Sequence, residues 1–343
     1  MDWLLASHQV APLQYEMGGL WTPISVRDQM VRGQELARRA IVAGLISKGR
    51  SLIVIGAGAG GMAAAITAHK AGVPVIVIER GTRPFARQAG VTSRTIHPYA
   101  YDWPHDRHKA TDLIAPAVLP WREATADGAA SQWTAALEAY RLIAFDSSVS
   151  PPPPPGGPAI AIHDGVVNVH VTTPAGSGWL HGGMVLSSIG FGTEITSIPA
   201  ARRSTYHGWR FWENDTMASA NLGATRPPEV LIAGGGDGAL QDTLRALLVP
   251  SVHDIRDLLA ALPAIPDDIR AAVGDAEDSA TRAWLWAAGG PDDCPILNEL
   301  ERRVRAAAYR WWLTDRPAIN QSLTPLWRTD ISKVHLVHSC THF

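Results

Sequence analysis

The chain has 343 residues, 46% of them hydrophobic and 18% charged, with a formal net charge of −2. That composition supplies a sizeable core and material for about two domains, and it excludes a disordered chain. The near balance of charge removes the electrostatic grip that nucleic acid or an anionic membrane requires, and no apolar stretch reaches transmembrane length.

The first residues, MDWLLASHQVAPLQ, lack a basic region followed by a long apolar run, so no secretory signal is expected. Two cysteines, Cys294 and Cys340, occur without any CxxC pair. Two thiols in a reducing cytoplasm fit this usage better than a disulfide framework. Residues 1–50 are expected as a helical extension, because 28–48 alternates charged and apolar residues at helical spacing.

The run SLIVIG (51–56) predicts a parallel strand buried on both faces. GMAAAITAHKAG (61–72) follows as a helix with a small-residue face and a glycine stop, and VPVIVIE (73–79) as a second buried strand. Residues 81–125 carry no clear period and are expected as a structured loop region, and 131–146 is expected to be helical. The proline run 151–155 marks a stiff segment or boundary. AIAIHDGVVNVHVTTP predicts a hairpin about Asp164-Gly165, a pair suited to a type I′ turn. A strand follows in GGMVLSSIGFG.

Residues 227–248 repeat the opening pattern of strand, glycine turn and helix. Several helical stretches come next, and KVHLVHS (333–339) is a candidate for a delayed second strand. The order β-α-β, hairpin, β-α, helices, β indicates an α/β fold.

Gly56, Gly58 and Gly61 match the spacing GxGxxG within Gly56-Ala57-Gly58-Ala59-Gly60-Gly61. The context carries the signal: a buried strand before, a helix opening on the turn, and a second strand ending at Glu79. Gly56 permits the tight turn, Gly58 lets the backbone approach a pyrophosphate, and Gly61 lets the helix pack on the strand. The helix start offers free N–H groups and a positive dipole end to phosphates. Glu79 is suited to accept hydrogen bonds from ribose hydroxyls, and its charge disfavours a 2′-phosphate there. The site therefore calls for FAD or NAD rather than NADP.

GAGAGGMAAAITAHKAG followed by VPVIVIER resembles the first nucleotide-binding motif of the two-dinucleotide-binding-domain flavoproteins, the glutathione-reductase-like superfamily. The resemblance implies a Rossmann-like FAD-binding domain over 51–226, with a parallel sheet and a β-hairpin or meander. It then implies a second dinucleotide-fold unit with a helical insertion over 227–343. That superfamily carries an alanine-threonine-glycine motif after the hairpin, and here Ser188-Ile189-Gly190 takes its place. Gly234-Gly235-Gly236-Asp237-Gly238-Ala239 resembles the turn that opens the NAD(P)H domain of thioredoxin-reductase-like flavoproteins. The superfamily's last FAD motif and a purely structural turn remain alternatives there. The cofactor-binding set implied is Gly56, Ala57, Gly58, Gly60, Gly61, Glu79, Arg80, Arg94 and Gly190, with Gly234, Gly236 and Asp237 at the second turn.

The implied cofactor is FAD, with NAD(P)H as a second. The implied function is an FAD-dependent oxidoreductase of a small organic substrate, an amine or amino acid. An NAD(P)H-dependent flavin monooxygenase and a non-catalytic cofactor-carrying subunit are the alternatives. The chain ends before the superfamily's closing FAD segment, so a homo- or hetero-oligomeric partner supplying that segment is also expected.

Other clusters are weaker. RTIHPYAYDWPHDRH (94–108) gathers Arg94, His97, Tyr99, Tyr101, Asp102, Trp103, His105 and His108. Arg94 is suited to a pyrophosphate or a substrate carboxylate, and Tyr101 or Trp103 to stacking near a flavin ring, while a packed loop is the bland account. TYHGWRFWEND (205–215) lines either a substrate cavity or a packed surface. His105 and His108 lack carboxylate or cysteine companions at a recognised metal spacing, and His338, Cys340 and His342 alternate as ligands on one strand face would but fit an ordinary strand end better, so no metal is expected. No GxSxG, HExxH or P-loop lysine is present. The absence of CxxC removes a disulfide-reductase mechanism. No catalytic residue follows from the sequence.

Overall fold

The computed structural model describes residues 2–18, 25–100, 118–140, 143–146, 148–149, 159–190, 194, 196, 208–234, 237–284 and 295–337. The chain divides into two compact units, Met1–Pro98 with Asp112–Asn214, and Tyr99–Thr111 with Asp215–Phe343.

The first unit opens with α1 (Trp3–His8), β1 (Gln9–Ala11), β2 (Gln14–Glu16) and α2 (Val26–Val42). The β-α-β core follows as β3 (Leu52–Ile55), α3 (Ala59–Lys70) and β4 (Val75–Glu79). After the short pair β5 (Thr95–Ile96) and β6 (Ala124–Thr125) come α4 (Ala126–Leu137) and β7 (Ile143–Asp146). The unit continues through β8 (Ser148–Val149), β9 (Ile160–His163), β10 (Val166–Thr173), β11 (Gly176–Gly182) and β12 (Met184–Ser187).

The main sheet has the order β1-β2-β12-β3-β4-β7, and every pairing from β2 to β7 is parallel. β3 and β12 are buried over most of their length, as expected of strands covered on both faces. One covering layer is the antiparallel meander: Val167, Val169 and Val171 of β10 pack on Ile53, Ile78 and Val185. The meander's turn is the predicted one, with Asp164 at φ 51° and Gly165 at φ 71°, the left-handed pair of a type I′ turn.

The other layer is helical. Gly60 through Ala68 of α3 are all buried, because α2 lies across the helix's second side. α2 turns Met30, Gly33, Leu36, Ala37 and Ala40 inward at helical spacing. The two helices meet at glycines, where a Cβ on Gly33 would stand 2.3 Å from the Gly60 carbonyl oxygen. Residues 1–50, read as a helical extension, thus contribute two strands and a packed helix to this unit. His8 joins α1 to β2 through Nδ1, 2.8 Å from the Glu16 carbonyl.

The helix expected over 131–146 is a correction. α4 ends at Leu137, and Ile143–Asp146 is β7, paired in parallel with β4 from Ile76↔Ile143 to Glu79↔Asp146. Non-local pairing with an open sheet edge outweighed local propensity. β11 was not anticipated either, since GSGWLHG is glycine-rich, yet it is laddered to β10 from Val167↔Gly182 to Thr173↔Gly176.

The second unit contains β13 (Glu229–Ala233), α5 (Asp237–Leu247), α6 (Ile255–Ala261), α7 (Asp267–Trp284), α8 (Pro295–Leu323) and β14 (Lys333–Val337). β13 and β14 pair in parallel from Glu229↔Lys333 to Ala233↔Val337, so the delayed strand is real and the helices are inserted before it. α7 packs on α8 through Ile269, Val273 and Ala307. α8 carries Pro317 and a non-helical Asp315 at φ −111°, a local break in keeping with proline's lost hydrogen bond. Two ion pairs fix the loops around β13. Arg245 grips Asp215 with both amino nitrogens at 2.8 Å, and the Asp215 side chain is fully buried. Arg328 holds Asp330 and the Ser219 carbonyl, and Asp330 accepts the Asn221 N–H at 2.7 Å. The hydrogen bonds from Arg328 hold the Asp330 carboxyl well below the usual carboxylate range, against the opposing effect of burial. The whole is an α/β fold with a Rossmann-like first unit and a second strand-turn-helix of the same kind.

Candidate functional site

The first glycine turn lies between β3 and α3 at the C-terminal edge of the parallel strands, where open α/β sheets bind ligands. Gly56 has φ 102°, a region that favours glycine, and its N–H donates to the Ile78 carbonyl at 2.7 Å. A Cβ at Gly56 would stand 2.7 Å from the Ser188 carbonyl oxygen. Gly61 is equally confined: a Cβ there would stand 2.2 Å from Ser188 Oγ and 2.3 Å from the Gly56 carbonyl oxygen. Gly58 differs, since a Cβ on it would meet nothing within 4 Å. Gly58 is also the N-cap of α3, and no side chain caps that helix. Of the three motif glycines Gly58 alone has open space where a Cβ would stand, and the first N–H groups of α3 beside it have no side-chain cap. This is the cradle a pyrophosphate needs.

Gly60 has another role. A Cβ there would stand 3.0 Å from the Gln29 carbonyl of α2, so this glycine serves the helix crossing.

Glu79 ends β4 beside the turn. Its Oε2 accepts the Ala57 N–H at 2.7 Å and its Oε1 accepts the Gly81 N–H at 2.7 Å. Ala57 is buried, and its N–H is engaged by Glu79. An ionised carboxylate offers about four acceptor positions, so two backbone bonds fix its orientation and leave capacity for ribose hydroxyls. Arg80, the next residue, is exposed. The residues present thus fit the ADP half of FAD: an uncapped helix start, an open glycine and an oriented carboxylate.

Ser188 was read as a departure from the flavoprotein motif, and the structure gives that departure a function. Its Oγ donates to the Gly56 carbonyl at 2.8 Å and lies 3.2 Å from that of Ile55. Its N–H donates to the Ile55 carbonyl at 2.8 Å. The end of β12 is thereby tied to the first turn. Ile189 is exposed, and Gly190, at φ 76°, has open space where a Cβ would stand.

Arg94 is buried. Its Nε donates to the Phe211 carbonyl at 3.0 Å, and its guanidinium lies 4.6 Å from the centre of the Phe211 ring. Asn214 Oδ1 accepts the Thr92 N–H at 2.8 Å and the Ser93 N–H at 3.2 Å, while its amide donates to the Gly90 carbonyl. The two aromatic and polar stretches that the sequence presents separately are therefore joined at this point. His97 and Tyr99 are buried as well. Beneath the 81–90 loop, Phe85, Trp121 and Trp133 form a buried aromatic cluster with ring centres 5.3 and 5.5 Å apart. Tyr101, Asp102, Trp103, His105, His108, Cys294, His338, Cys340 and His342 lie outside the described residues.

The second turn repeats the first in register. Gly234 follows β13 as Gly56 follows β3, with φ 141°, and its N–H donates to the Val337 carbonyl of β14 at 2.8 Å. A Cβ at Gly234 would stand 3.2 Å from the Ala239 Cβ. Asp237 is the first residue of α5, and Gly236 lies outside the described residues. Among the described residues no group of three metal-ligating side chains forms, and no helix is long and apolar enough to cross a membrane.

Residues 51–146 match the family described as FAD dependent oxidoreductase. The match begins at β3 and takes in the turn, α3, Glu79 and β7. Among curated protein sequences none matches. Solved structures similar to the chain include the bacillithiol disulfide reductase Bdr from Bacillus cereus, at 16% identity and a TM-score of 0.37, over 57% of this chain and 55% of that one. A thioredoxin reductase from Gloeobacter violaceus matches at 16% identity and a TM-score of 0.26, over 57% and 50%. A cyclohexanone monooxygenase mutant from Rhodococcus sp. Phi1, bound to NADP+, matches at 12% identity and a TM-score of 0.40, over 84% and 65%. The chain thus spans about half the length of the two reductases.

Proposed function

We propose that this chain is an FAD-dependent oxidoreductase of the glutathione-reductase-like kind, acting on a small organic substrate such as an amine or amino acid. One observation carries the proposal. The FAD dependent oxidoreductase match falls on the segment whose geometry offers an uncapped helix start at Gly58 and an oriented carboxylate at Glu79. Gly56, Gly58 and the start of α3 would hold the pyrophosphate, Glu79 the adenosine ribose, and Gly190 would pass close to the cofactor. A bound flavin supplies hydride acceptance, and the protein supplies binding, orientation and local electrostatics. Ser188 holds the turn in the form that receives the phosphates.

The test is the visible spectrum of the purified protein, with the released cofactor identified by mass. A yellow protein releasing FAD is the expected result, and a colourless protein carrying NAD overturns the assignment. Anaerobic bleaching by a panel of amines and amino acids then tests the substrate class.

A second reading has its own support in the register repeat at Gly234 and β14. In it the second unit binds NAD(P)H and the enzyme is a flavin monooxygenase. Bleaching of the flavin by NADPH or NADH, abolished by Gly236→Glu, is its expected signature. Bleaching by an amine or amino acid with none by either nucleotide favours the first reading.

A further inference from the structure

Given the FAD reading above, we infer that the flavin half of the cofactor lies across the ends of β12 and β2. The chain's own N-terminal segment holds it there, with Met17 and Gln29 as a wall and Arg32 as the facing cation.

The strand order fixes the direction of the bound dinucleotide. Glu79 ends β4 on one side of β3, and Gly58 opens the helix that follows β3 itself. A dinucleotide with its adenosine ribose on Glu79 and its diphosphate at Gly58 must continue away from β4, past the end of β12 and then of β2. From β4 to β2 are three strand spacings, about 14 Å. β2 is the last strand to present a C-terminal end at this edge, because it is parallel to β12 while β1 is antiparallel to it. The ends are level. Ser187 is paired with Ile55 on one side and with Glu16 on the other, and the Met17 N–H donates to the Ser187 carbonyl at 2.9 Å. Parallel α/β sheets hold ligands outside such carboxyl ends.

The segment after β2 returns as α2, and three of its residues reach the first turn of α3. A Cβ on Gly60 would stand 2.3 Å from Met17 Cε and 3.0 Å from the Gln29 carbonyl oxygen, and one on Gly33 would stand 2.3 Å from the Gly60 carbonyl oxygen. Met17 is buried, so this wall is fixed. With its amide turned to satisfy both groups, Gln29 donates to the Met17 carbonyl at 3.3 Å and accepts from Arg32 Nη1 at 2.9 Å. Side chains on a helix lean toward its N-terminus, which carries the Arg32 guanidinium to the level of Gln29 and the sheet edge. Arg32 is half-buried between Asp28 and His8, and the charges of Asp28 and Arg32 act on one another. The arginines that follow the glycine motif are placed elsewhere: Arg80 is exposed and Arg94 is set on Phe211. The diphosphate is anionic, and Arg32 supplies a cation on its flavin side.

Titration of the apoprotein with FAD and, separately, with ADP tests this placement, since ADP reports on the Glu79 half alone. Arg32→Ala is expected to weaken FAD about tenfold to a hundredfold. It should leave ADP binding unchanged, which also shows that the variant is folded. Arg32→Lys should recover part of the loss. Glu79→Gln, by contrast, should weaken both ligands. An azido-flavin analogue of FAD, photolysed on the wild-type chain, needs no variant. Label is expected on Met17, Gly18 or the first turns of α2, with one flavin bound per chain. Four results overturn the inference while the FAD reading stands: equal loss of FAD and ADP in Arg32→Ala, FAD binding indifferent to that substitution, label found only beyond α2, or flavin retained only beside a second polypeptide. A wild-type chain that binds ADP but no flavin overturns the FAD reading itself, and this inference with it.

Discussion

Gly61 and Gly58 of the first turn occupy different environments, and their substitutions should separate accordingly. At Gly61 an added methyl meets the Gly56 carbonyl oxygen and Ser188 Oγ inside 2.5 Å. Gly61→Ala should therefore destabilise the protein by about 1–3 kcal/mol, as overpacking does, and abolish FAD retention; thermal unfolding and flavin content measure the two effects. At Gly58 the space is open. Gly58→Ala should leave the apoprotein's melting temperature unchanged while weakening FAD, and equal loss of both would show that Gly58 does not face the cofactor. Glu79→Gln removes a charge and sets an amide N–H₂ against one of two backbone donors, the N–H of Ala57 or of Gly81. The ribose hydroxyls also lose a charged acceptor, worth about 1.5–3 kcal/mol, so titration of the apoprotein should show FAD bound roughly tenfold to a hundredfold more weakly. The positions of Gly56, Gly58, Gly61 and Glu79 were legible in the sequence because their spacing follows from the local path of one strand, one turn and one helix. Ser188 was not, because its hydroxyl reaches the turn from a strand 132 residues away in sequence.

At the scale of elements, α2 is the part whose position was least evident beforehand. Its periodicity predicts a helix, but only the structure shows that it crosses α3 at Gly33 and Gly60. Gly33→Ala would place a methyl 2.3 Å from a backbone oxygen that has no room to yield. We expect a loss of about 1–3 kcal/mol, read by chemical denaturation, with weaker FAD binding following from displacement of the α3 start. α1 and β2 carry a pH dependence through His8. Burial pushes this imidazole below its ordinary value, against the opposing pull of the Glu16 carbonyl, and the charge of Arg32 lowers it further. Its folded value lies below the unfolded value of about 6.5. The stability it contributes is therefore complete above pH 6.5 and is lost as pH falls through the lower folded value. Melting temperatures between pH 8 and pH 5 should show this loss, and His8→Gln should flatten it. β7 makes the related point about sheets. IAFD carries no alternation that distinguishes strand from helix, and an open edge beside β4 decided it.

For the whole molecule, two compact units imply that a lesion can be confined to one of them. Arg245→Ala would leave the fully buried Asp215 without its bidentate partner. Breaking a buried pair from one side costs about 3–5 kcal/mol. Hydrogen exchange should accelerate in β13 and β14 while β3, β4 and β12 keep their protection. Equal acceleration everywhere would show that the two units unfold as one.

What the amino-acid order determined by itself was whatever depends on neighbours along the chain. The buried strands 52–55 and 75–79, the glycine turn and its helix, the Asp164-Gly165 turn and the late strand at 333–337 all follow from apolar runs, backbone freedom at glycine and helical spacing. The tertiary structure decided what depends on residues far apart in sequence. It recruited β1, β2 and β7 to the sheet, set Gly60 against α2, pinned Gly56 with Ser188, and placed Arg94 on Phe211. Those outcomes rest on which surfaces remain to be covered and which backbone groups still lack partners once the sheet has formed, and no local pattern encodes either.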